Sequence, residues 1–329
     1  MVITQTPFRI SFFGGGTDYR SYFEQYGGAV LSTSIDKYCD LTVRHLPPFF
    51  DHRIKAAYAT IEYAKNIDEI KHPSIKACMR YTGTNDLSII YDADLPARSG
   101  LGSSSSFTVG LLNAIHGLKG EFVDAISLGK EAIHVEQDLI GESVGVQDQM
   151  AAAYGGFNIM EFSYNNILVR PVVLSSERRQ LLNDHLFLVY TGLPRFASKI
   201  ASEQIKVTPQ KTAELKEMHQ MVFEGERILS SNSDISDFGK LLNESWKMKR
   251  SLTAKISNSL IDSLYEKALR SGAIGGKLIG AGGGGYILLF ASPDRQKKII
   301  EELELIAVTF KFENLGSKII FFRNEEKGW

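Results

Sequence analysis

The residues of this chain best suited to chemistry lie in a glycine- and serine-rich segment. It runs from Pro96 to Ser106 as Pro-Ala-Arg-Ser-Gly-Leu-Gly-Ser-Ser-Ser-Ser and leads directly into an amphipathic helical pattern. Glycines let the backbone approach a phosphate closely, and the first-turn N–H groups and dipole of a helix attract negative charge. Serine hydroxyls can add hydrogen bonds or a ligand for a hard cation. The segment therefore predicts an anion-binding loop.

The same segment has a purely structural alternative, in which its serines only cap the helix. One cap residue is enough for a helix start, and the four serines after Gly102 exceed that need. The segment is not a Walker A loop, because no Gly-Lys-Ser/Thr follows it. Gly276-Lys277-Leu278 comes closest and ends in the wrong residue.

Three motifs together resemble the GHMP kinases, the family of galactokinase, homoserine kinase, mevalonate kinase and phosphomevalonate kinase. The first is Thr6-Pro7-Phe8-Arg9 with Gly14 to Tyr19, the second is the Pro96 to Ser106 segment, and the third is Lys277 to Gly285. They follow the family's order and span most of the chain. The resemblance implies a small-molecule kinase that uses ATP and Mg²⁺.

The resemblance also implies roles for single residues. Glu136 and Ser104 match the magnesium ligands, Asp148 matches the aspartate that faces the acceptor hydroxyl, and Arg9 matches a basic position near the γ-phosphate. Taken singly, Glu136 reads as a solvated helix residue, Asp148 as a helix N-cap and Arg9 as a paired surface residue. The residues implied to bind the nucleotide are Pro96, Gly100, Leu101, Gly102, Ser103, Ser104, Ser105 and Ser106, and those implied to bind the sugar are Gly14, Gly15, Gly16, Thr17, Asp18, Gln147, Arg195, Gly282 and Gly283.

The first motif bears on the choice of substrate. Galactokinases carry Gly-Glu-His-Thr-Asp where this chain has Gly14-Gly15-Gly16-Thr17-Asp18, so two sugar contacts are missing. This pattern, with Gly155 to Phe162 and Thr191 to Ser198, resembles the kinases that phosphorylate the anomeric C1 hydroxyl of D-glycero-D-manno-heptose 7-phosphate. Other sugar 1-kinases, of the fucose or galactose type, are the alternative.

A phosphorylated sugar needs basic groups or N–H donors for its remote phosphate. Arg195, Lys199 and Arg98 lie in segments without clear periodicity and are the candidates, although each is equally compatible with a solvated surface charge. The glycines at positions 15 and 16 would open space for the larger sugar, or would serve only a tight turn.

Strand-like and helical patterns indicate which elements position these residues. Strands are predicted at Phe8–Phe13, Ala29–Ile35, Tyr38–Arg44, His185–Tyr190 and Tyr286–Phe290, and helices at Phe107–Leu118, Glu121–Leu139, Ala213–Leu229 and Ser259–Arg270. Leu193 to Gln210 is polar, contains two prolines and is predicted to be a mobile loop, partly helical at most.

Strands and helices without regular βαβ alternation favour an α+β fold. We predict two domains, residues 1–182 and 183–329. By the family resemblance, the first should be like ribosomal protein S5 domain 2, the second should be ferredoxin-like, and the active site should lie between them.

The composition excludes several classes of protein. Hydrophobic residues make up 43% of the chain and the formal charge is -1, so there is no basic excess for nucleic acid. The apolar runs are too short for a membrane span and the N-terminus has no signal pattern, which predicts a cytoplasmic protein. Cys39 and Cys78 are expected to be buried thiols.

Three competing functions have a sequence feature of their own. Gly141 to Gly145 satisfies the Gly-x-Ser-x-Gly esterase motif, but a charged helical pattern precedes it where an apolar strand is required. Gly280 to Gly285 fits a dinucleotide motif, but a strand follows it instead of a helix. A sugar or nucleotide sensor on the same fold would not need the set of Arg9, Ser104, Glu136 and Asp148.

Overall fold

Two mainly antiparallel sheets organise the computed structural model, which describes residues 1–97, 99–193 and 197–324. The strands are β1 Val2–Phe13, β2 Gly28–His45, β3 Ile54–Ala57, β4 Ile61–Ala64, β5 Leu87–Ala93, β6 Phe157–Ser163, β7 Asn166–Pro171, β8 Leu186–Tyr190, β9 Gly275–Leu278, β10 Tyr286–Phe290, β11 Ala307–Val308, β12 Phe312–Glu313 and β13 Lys318–Phe322. The helices are α1 Arg20–Tyr26, α2 Pro73–Thr82, α3 Ser103–Lys119, α4 Ala125–Ile133, α5 Gln147–Tyr154, α6 Ser176–Asp184, α7 Ala197–Val207, α8 Thr212–Ser230, α9 Ser236–Leu252, α10 Ser259–Arg270 and α11 Pro293–Leu303. This arrangement confirms the α+β class.

The larger sheet is built on one long strand, β2. Its first half pairs with β6 and its second half with β5, while β1 lies along its other side. We predicted two separate strands there because Asp36 and Lys37 look like a turn. That prediction is wrong. Strand β2 continues through these two residues without leaving the sheet, and its pairing with β1 shifts in register between Pro7 and Phe8.

Helix α3 lies against β1 and β2 and brings the serine-rich segment to the sheet. Its apolar side chains are buried, except for the partly buried Leu118, and a Cβ at Gly110 would lie 2.7 Å from Thr6 Oγ1. Two further contacts hold the start of the helix beside β1: Ser106 Oγ donates to Pro7 O at 2.9 Å, and the Arg9 amide donates to Leu101 O at 3.0 Å. The anion-binding loop is thus anchored next to Arg9.

The smaller sheet has the strand order β11-β8-β10-β9, and helices α8 to α11 share its hydrophobic core. The predicted helices over Ala213–Leu229 and Ser259–Arg270 are confirmed as α8 and α10. The glycine run 280–285 connects β9 to β10, so it lies in a strand-to-strand hairpin.

The chain returns to the larger sheet at its end. Strand β12 pairs with β2, and β13 pairs with β1 at the edge of the sheet. Residues after about 310 therefore belong to the larger sheet, although they follow the predicted domain boundary at residue 183.

Two predicted segments differ from the structure in their local conformation. The helix predicted over 121–139 begins at Ala125, because Asp124 Oδ1 accepts from the Ser127 amide, and it continues as a π-helical turn at His134–Ile140. The predicted loop 193–210 contains the helix α7. Its inner face includes the buried Gln204, a polar residue that hides the apolar periodicity.

Candidate active site

A cleft between the two sheets brings together six of the predicted site residues: Arg9, Gly15, Gly16, Asp18, Gln147 and Asp148. Including the part that is open to solvent, it measures about 590 Å³. The residues that line it are Arg9, Ser11, Gly15, Gly16, Asp18, Tyr19, Ser143, Val144, Gly145, Gln147, Asp148, Ala201, Gln204, Lys249, Lys277, Gly280 and Ala281. Its size and its convergent polar groups are those of a small-molecule site.

Arg9 and Asp148 form a bidentate ion pair at the centre of the cleft. Arg9 Nε donates to Asp148 Oδ1 at 2.8 Å, and Nη2 donates to Oδ2 at 2.9 Å. The remaining nitrogen, Nη1, donates to Gly100 O at 2.6 Å. Arg9 is buried on β1, whereas the Asp148 side chain, in the first turn of α5, is 28% exposed. The guanidinium therefore holds the carboxylate with one side toward the cleft and ties it to the glycine-rich loop.

A second carboxylate, Asp18, lies buried in the wall of the cleft. Its Oδ1 accepts from the Gly16 amide and its Oδ2 from Gln147 Nε2, both at 2.9 Å. Burial raises the pKa of Asp18, and the charge of Asp148 adds to the rise. Gly145 packs against this carboxylate, since a Cβ there would lie 1.8 Å from Asp18 Oδ2. Asp18 and Gln147 together present a polar wall to a ligand.

The glycines and the threonine of the first motif divide into two groups. Gly15 and Gly16 line the cleft, and a Cβ on Gly15 would meet nothing closer than Gln147 Nε2 at 3.8 Å. Gly14 and Thr17 do not line it. A Cβ on Gly14 would lie 1.9 Å from Ala29 O, and Thr17 Oγ1 donates to Gly14 O at 2.8 Å. For Gly14 and Thr17 the structure thus shows a role in the turn rather than the predicted contact with sugar.

Glu136 is fully buried on the π-helical turn, 0% exposed, and faces the start of α3. Its Oε2 accepts from Ser105 Oγ at 2.9 Å and from Gln149 Nε2. Among the described residues, no group donates to its other oxygen, Oε1. Burial raises the pKa of Glu136 to about 7. A buried carboxylate oxygen without a donor fits a hard cation, which would offset this desolvation.

The serine beside Glu136 is Ser105, not Ser104. Ser104 lies in the first turn of α3 and is exposed, whereas the next residue, Ser105, is on the buried face of the helix. The spacing of the motif alone does not distinguish the two, because successive helix residues differ by about 100° in direction.

The rest of the glycine-rich loop surrounds this helix start. Gly102 precedes α3 with φ +76°, and a Cβ there would lie 3.2 Å from Arg9 Cγ. Leu101, Gly100, Ser103 and Ser106 are buried, whereas Pro96 is exposed. Arg98 lies outside the described residues.

The second glycine run meets the loop as predicted. The Tyr286 amide donates to Ser99 O at 3.1 Å, and a Cβ on Gly285 would lie 2.1 Å from the same oxygen. Gly280 and Ala281 line the cleft, whereas Gly282 and Gly283 pack against Ile256 and Ile200. The predicted substrate contact of Gly282 and Gly283 is therefore not seen in the lining of the cleft.

Four cleft residues escaped the sequence analysis: Ser11, Gln204, Lys249 and Lys277. Lys277 was considered only as the first residue of the third motif and as a failed Walker A lysine, without a place in the cleft, and the others carry no motif of their own. Burial, and then the charges of Lys249 and Arg9, lower the pKa of Lys277 well below its ordinary value. Only the tertiary structure could reveal these residues, because they come from four separate elements.

The predicted remote-phosphate ligands are placed differently from expectation. Arg195, like Arg98, lies outside the described residues. Lys199 is exposed on α7. Ser143 of the esterase-like motif follows the π-helical turn rather than a strand, which removes the context that a nucleophile elbow requires.

Comparison with known proteins identifies the family. The models for the GHMP kinases N terminal domain and the GHMP kinases C terminal domain match residues 68–156 and 227–306. A D-glycero-alpha-D-manno-heptose 7-phosphate kinase from Campylobacter jejuni is 30% identical over 315 residues, which cover 91% of this chain and 92% of that protein. The chain belongs to the GHMP kinases. A galactokinase from Pyrococcus furiosus is 26% identical, with 91% of each chain covered.

Solved GHMP kinase structures share the two-domain fold. A D-glycero-D-manno-heptose 1-phosphate kinase from Bacteroides thetaiotaomicron superimposes with a TM-score of 0.81 at 24% identity, covering 98% of this chain and 100% of that one. The mevalonate kinase of Methanococcus jannaschii gives 0.72 at 23% identity, covering 95% and 98%. As a GHMP kinase, this protein transfers a phosphoryl group from ATP to a hydroxyl acceptor. Its described part contains no helix both long and apolar enough to cross a membrane.

Proposed function

We propose that this GHMP kinase phosphorylates the anomeric C1 hydroxyl of D-glycero-D-manno-heptose 7-phosphate and so produces the 1,7-bisphosphate. The observation that carries the proposal is the Arg9–Asp148 pair in a cleft whose wall has no side chain at Gly15. The 30% identity to the heptose 7-phosphate kinase of C. jejuni supports this substrate. The missing glutamate and histidine side chains at positions 15 and 16 disfavour a galactose-type site.

Asp148 acts on the acceptor hydroxyl in the proposed reaction. The hydroxyl oxygen forms a bond to the γ-phosphorus of ATP, the bond to the β–γ bridging oxygen breaks, and ADP leaves. The hydroxyl proton passes to Asp148 or to the transferred phosphoryl group, because a loose transition state requires little of a base. Arg9 keeps the carboxylate oriented and adds positive charge beside the transferred group.

The wall of the cleft holds the sugar in the proposed complex. Asp18 and Gln147 offer polar atoms, and Gln147 Oε1 and Ser11 Oγ have no hydrogen-bond partner within the described part of the chain. Sugar hydroxyls are the ordinary partners of such groups. Gly15 leaves room on the same wall for the six-membered ring of a seven-carbon sugar and its side arm.

The glycine-rich loop and the π-helical turn form the nucleotide side of the proposed site. The first-turn N–H groups of α3 would cradle the phosphates of ATP. Glu136, with Ser105 or the exposed Ser104, would hold Mg²⁺, which would supply positive charge to offset the negative charge of the ATP phosphates.

We also propose a revised division into domains. The first would contain residues 1–182 together with the strands β12 and β13, since both pair with the larger sheet. The second would contain residues 183 to about 310, with the smaller sheet and helices α8 to α11.

The test of the function is ATP turnover with Mg²⁺ across a panel of acceptors: heptose 7-phosphate, heptose, mannose, fucose, galactose and homoserine. We expect heptose 7-phosphate to be used with the highest kcat/KM and to yield a C1-phosphorylated product. Asp148→Asn should lower kcat about 100-fold or more and leave ATP binding intact. Preference for another acceptor would refute the substrate, and binding without turnover of any acceptor would favour a sensor.

A further inference from the structure

Gln149 is a fully buried polar residue to which the proposed reaction assigns no role. It is the third residue of α5, directly after Asp148, and is 0% exposed. Its Nε2 donates to Glu136 Oε2, while its Oε1 accepts from no group among the described residues. Burying an amide with an unsatisfied oxygen costs free energy, so packing alone does not account for a glutamine at this position.

The hydrogen bond from Gln149 determines which oxygen of Glu136 is left for a ligand. Glu136 Oε2 accepts from Ser105 Oγ at 2.9 Å as well as from Gln149 Nε2, whereas Oε1 has no donor within the described ranges of the chain. The two donors come from different helices, α3 and α5, and together they restrict the rotation of the carboxylate. Hydrogen bonds of this kind orient the carboxylates that bind metal ions.

Helix α5 connects this carboxylate to the acceptor side of the cleft. Asp148 and Gln149 are consecutive, so their side chains differ by about 100° in direction. Asp148 is bound by Arg9 and lines the cleft, whereas Gln149 is bound to Glu136. The next residues of the helix, 150–153, are buried, and this packing holds α5 in place. One turn of α5 therefore fixes the two carboxylates relative to each other.

We propose that Gln149 is a positioning residue for the cation, which holds Glu136 with Oε1 available to Mg²⁺ and couples this carboxylate to the helix that carries Asp148. The inference rests on the proposed function in one respect, since it takes Glu136 to bind Mg²⁺ together with ATP. It does not depend on which sugar is the acceptor. If Gln149 only satisfied a buried carboxylate, its loss would leave the binding of the metal unchanged.

The test compares Gln149→Met with Gln137→Met, because methionine keeps the length of glutamine and removes the amide. Gln137 is a matched control on the same π-helical turn as Glu136. Its amide oxygen also lacks a partner in the described part of the chain, but its Nε2 donates to Val144 O at 2.8 Å instead of to Glu136. Gln149→Asn, which shortens the side chain by one methylene, is a second variant.

The measured quantity is the gain in nucleotide affinity that Mg²⁺ provides. Calorimetry gives the affinity of each protein for a non-hydrolysable ATP analogue, once with Mg²⁺ and once with a chelator, and the ratio of the two affinities reports the binding of the metal. Glu136→Gln and the double variant Glu136→Gln/Gln149→Met complete a double-mutant cycle, which shows whether Gln149 acts through Glu136.

Gln149→Met should lower this ratio about 10- to 100-fold, the range for losing an outer partner of a metal ligand. Gln149→Asn should act in the same direction. Affinity for the analogue in chelator should stay near wild type, which also shows that the variants are folded. In the Glu136→Gln background, Gln149→Met should cause no further loss, and Gln137→Met should keep the wild-type ratio.

Two results would overturn the proposal directly. An unchanged ratio in both Gln149 variants would leave Gln149 with a structural role only. A loss of the same size in the Glu136→Gln background would show that Gln149 does not act through Glu136. If Glu136→Gln itself keeps the wild-type ratio, the proposed metal site fails first, and the inference about Gln149 fails with it. The choice of sugar is judged separately, by the acceptor panel.

Discussion

Replacing Glu136 by glutamine should stabilise the metal-free protein at alkaline pH, although it removes a candidate magnesium ligand. The pKa of Glu136 is raised from 4.5 to about 7 by burial. Below pH 4.5 the carboxyl is protonated in both the folded and the unfolded chain and carries no penalty. As the pH rises through about 7, the folded chain must bury a charge that the unfolded chain exposes to water, so folding stability is lost.

The size of the effect follows from this shift of the pKa. Between an unfolded value of 4.5 and a folded value of about 7, ionisation costs about 0.8 kcal/mol at pH 5 and about 3 kcal/mol at pH 8. Glutamine resembles the protonated acid, because its carbonyl oxygen can accept from Ser105 and Gln149 as Oε2 does now. Glu136→Gln should therefore remove most of this cost.

The assay is unfolding by urea or heat at pH 5 and pH 8, with a chelator and without nucleotide. The variant should match wild type at pH 5 within about 1 kcal/mol and be more stable by about 3 kcal/mol at pH 8. Asp138→Asn is the control, since it removes from the same turn an exposed carboxylate whose pKa is lowered, chiefly by its hydrogen bond to His134, rather than raised. Adding Mg²⁺ and ATP should raise the melting temperature of wild type more than that of Glu136→Gln.

A variant that is less stable than wild type at pH 8 would refute the reasoning. A difference in the free energy of unfolding that does not depend on pH would also refute it, because the difference would then not come from the ionisation of Glu136. A similar response of both proteins to Mg²⁺ and ATP would remove Glu136 from the proposed metal site.

Two further substitutions test how the cleft is built. Arg9→Met should lower kcat about 100-fold or more and destabilise the fold by about 3 kcal/mol, since it leaves the Asp148 carboxylate without its bidentate partner. Acceptor kinetics and urea unfolding would measure both effects, and near-normal turnover would contradict the assigned role. Gly145→Ala places a Cβ 1.8 Å from Asp18 Oδ2 and should raise KM for the sugar about tenfold while ATP affinity is kept. The control is Gly141→Ala, which meets no atom within 4 Å and carries only the strain of its φ of +78°. Equal KM values for the two alanine variants would show that the position of Asp18 does not matter for sugar binding.

Motifs with a strong local cause were predicted well. A glycine turn before a helix, and a strand followed by a tight turn, require only neighbouring residues, so the start of α3 after Gly102 and the turn after β1 could be recognised directly. The anion-binding role of the loop stays a prediction. The helices α8 and α10 were found for the same reason, because their apolar residues recur at the helical period.

Errors arose where a tertiary contact overrides the local pattern. Helix α7 looked like a loop because its buried face includes Gln204, which donates to Ala281 O and has no apolar signal. The two halves of β2 looked like separate strands because Asp36 and Lys37 resemble a turn, yet β1 pairs with the residues on either side of them, Ile35 and Tyr38, and so keeps both halves in one strand.

The sequence by itself determined the family and the α+β class and pointed to Arg9 and Asp148 as candidate site residues, since these follow from residue types at short range and from the order of the motifs. Only the tertiary structure decided that Ser105 rather than Ser104 faces Glu136 and that Gly14 and Thr17 belong to the turn. It also brought Lys249 and Lys277 to the same cleft as Arg9, from which they are separated by more than two hundred residues. The physical reason is that the direction and the burial of a side chain depend on how helices and strands pack against one another. No local sequence pattern encodes which distant side chains will lie together in one buried cleft.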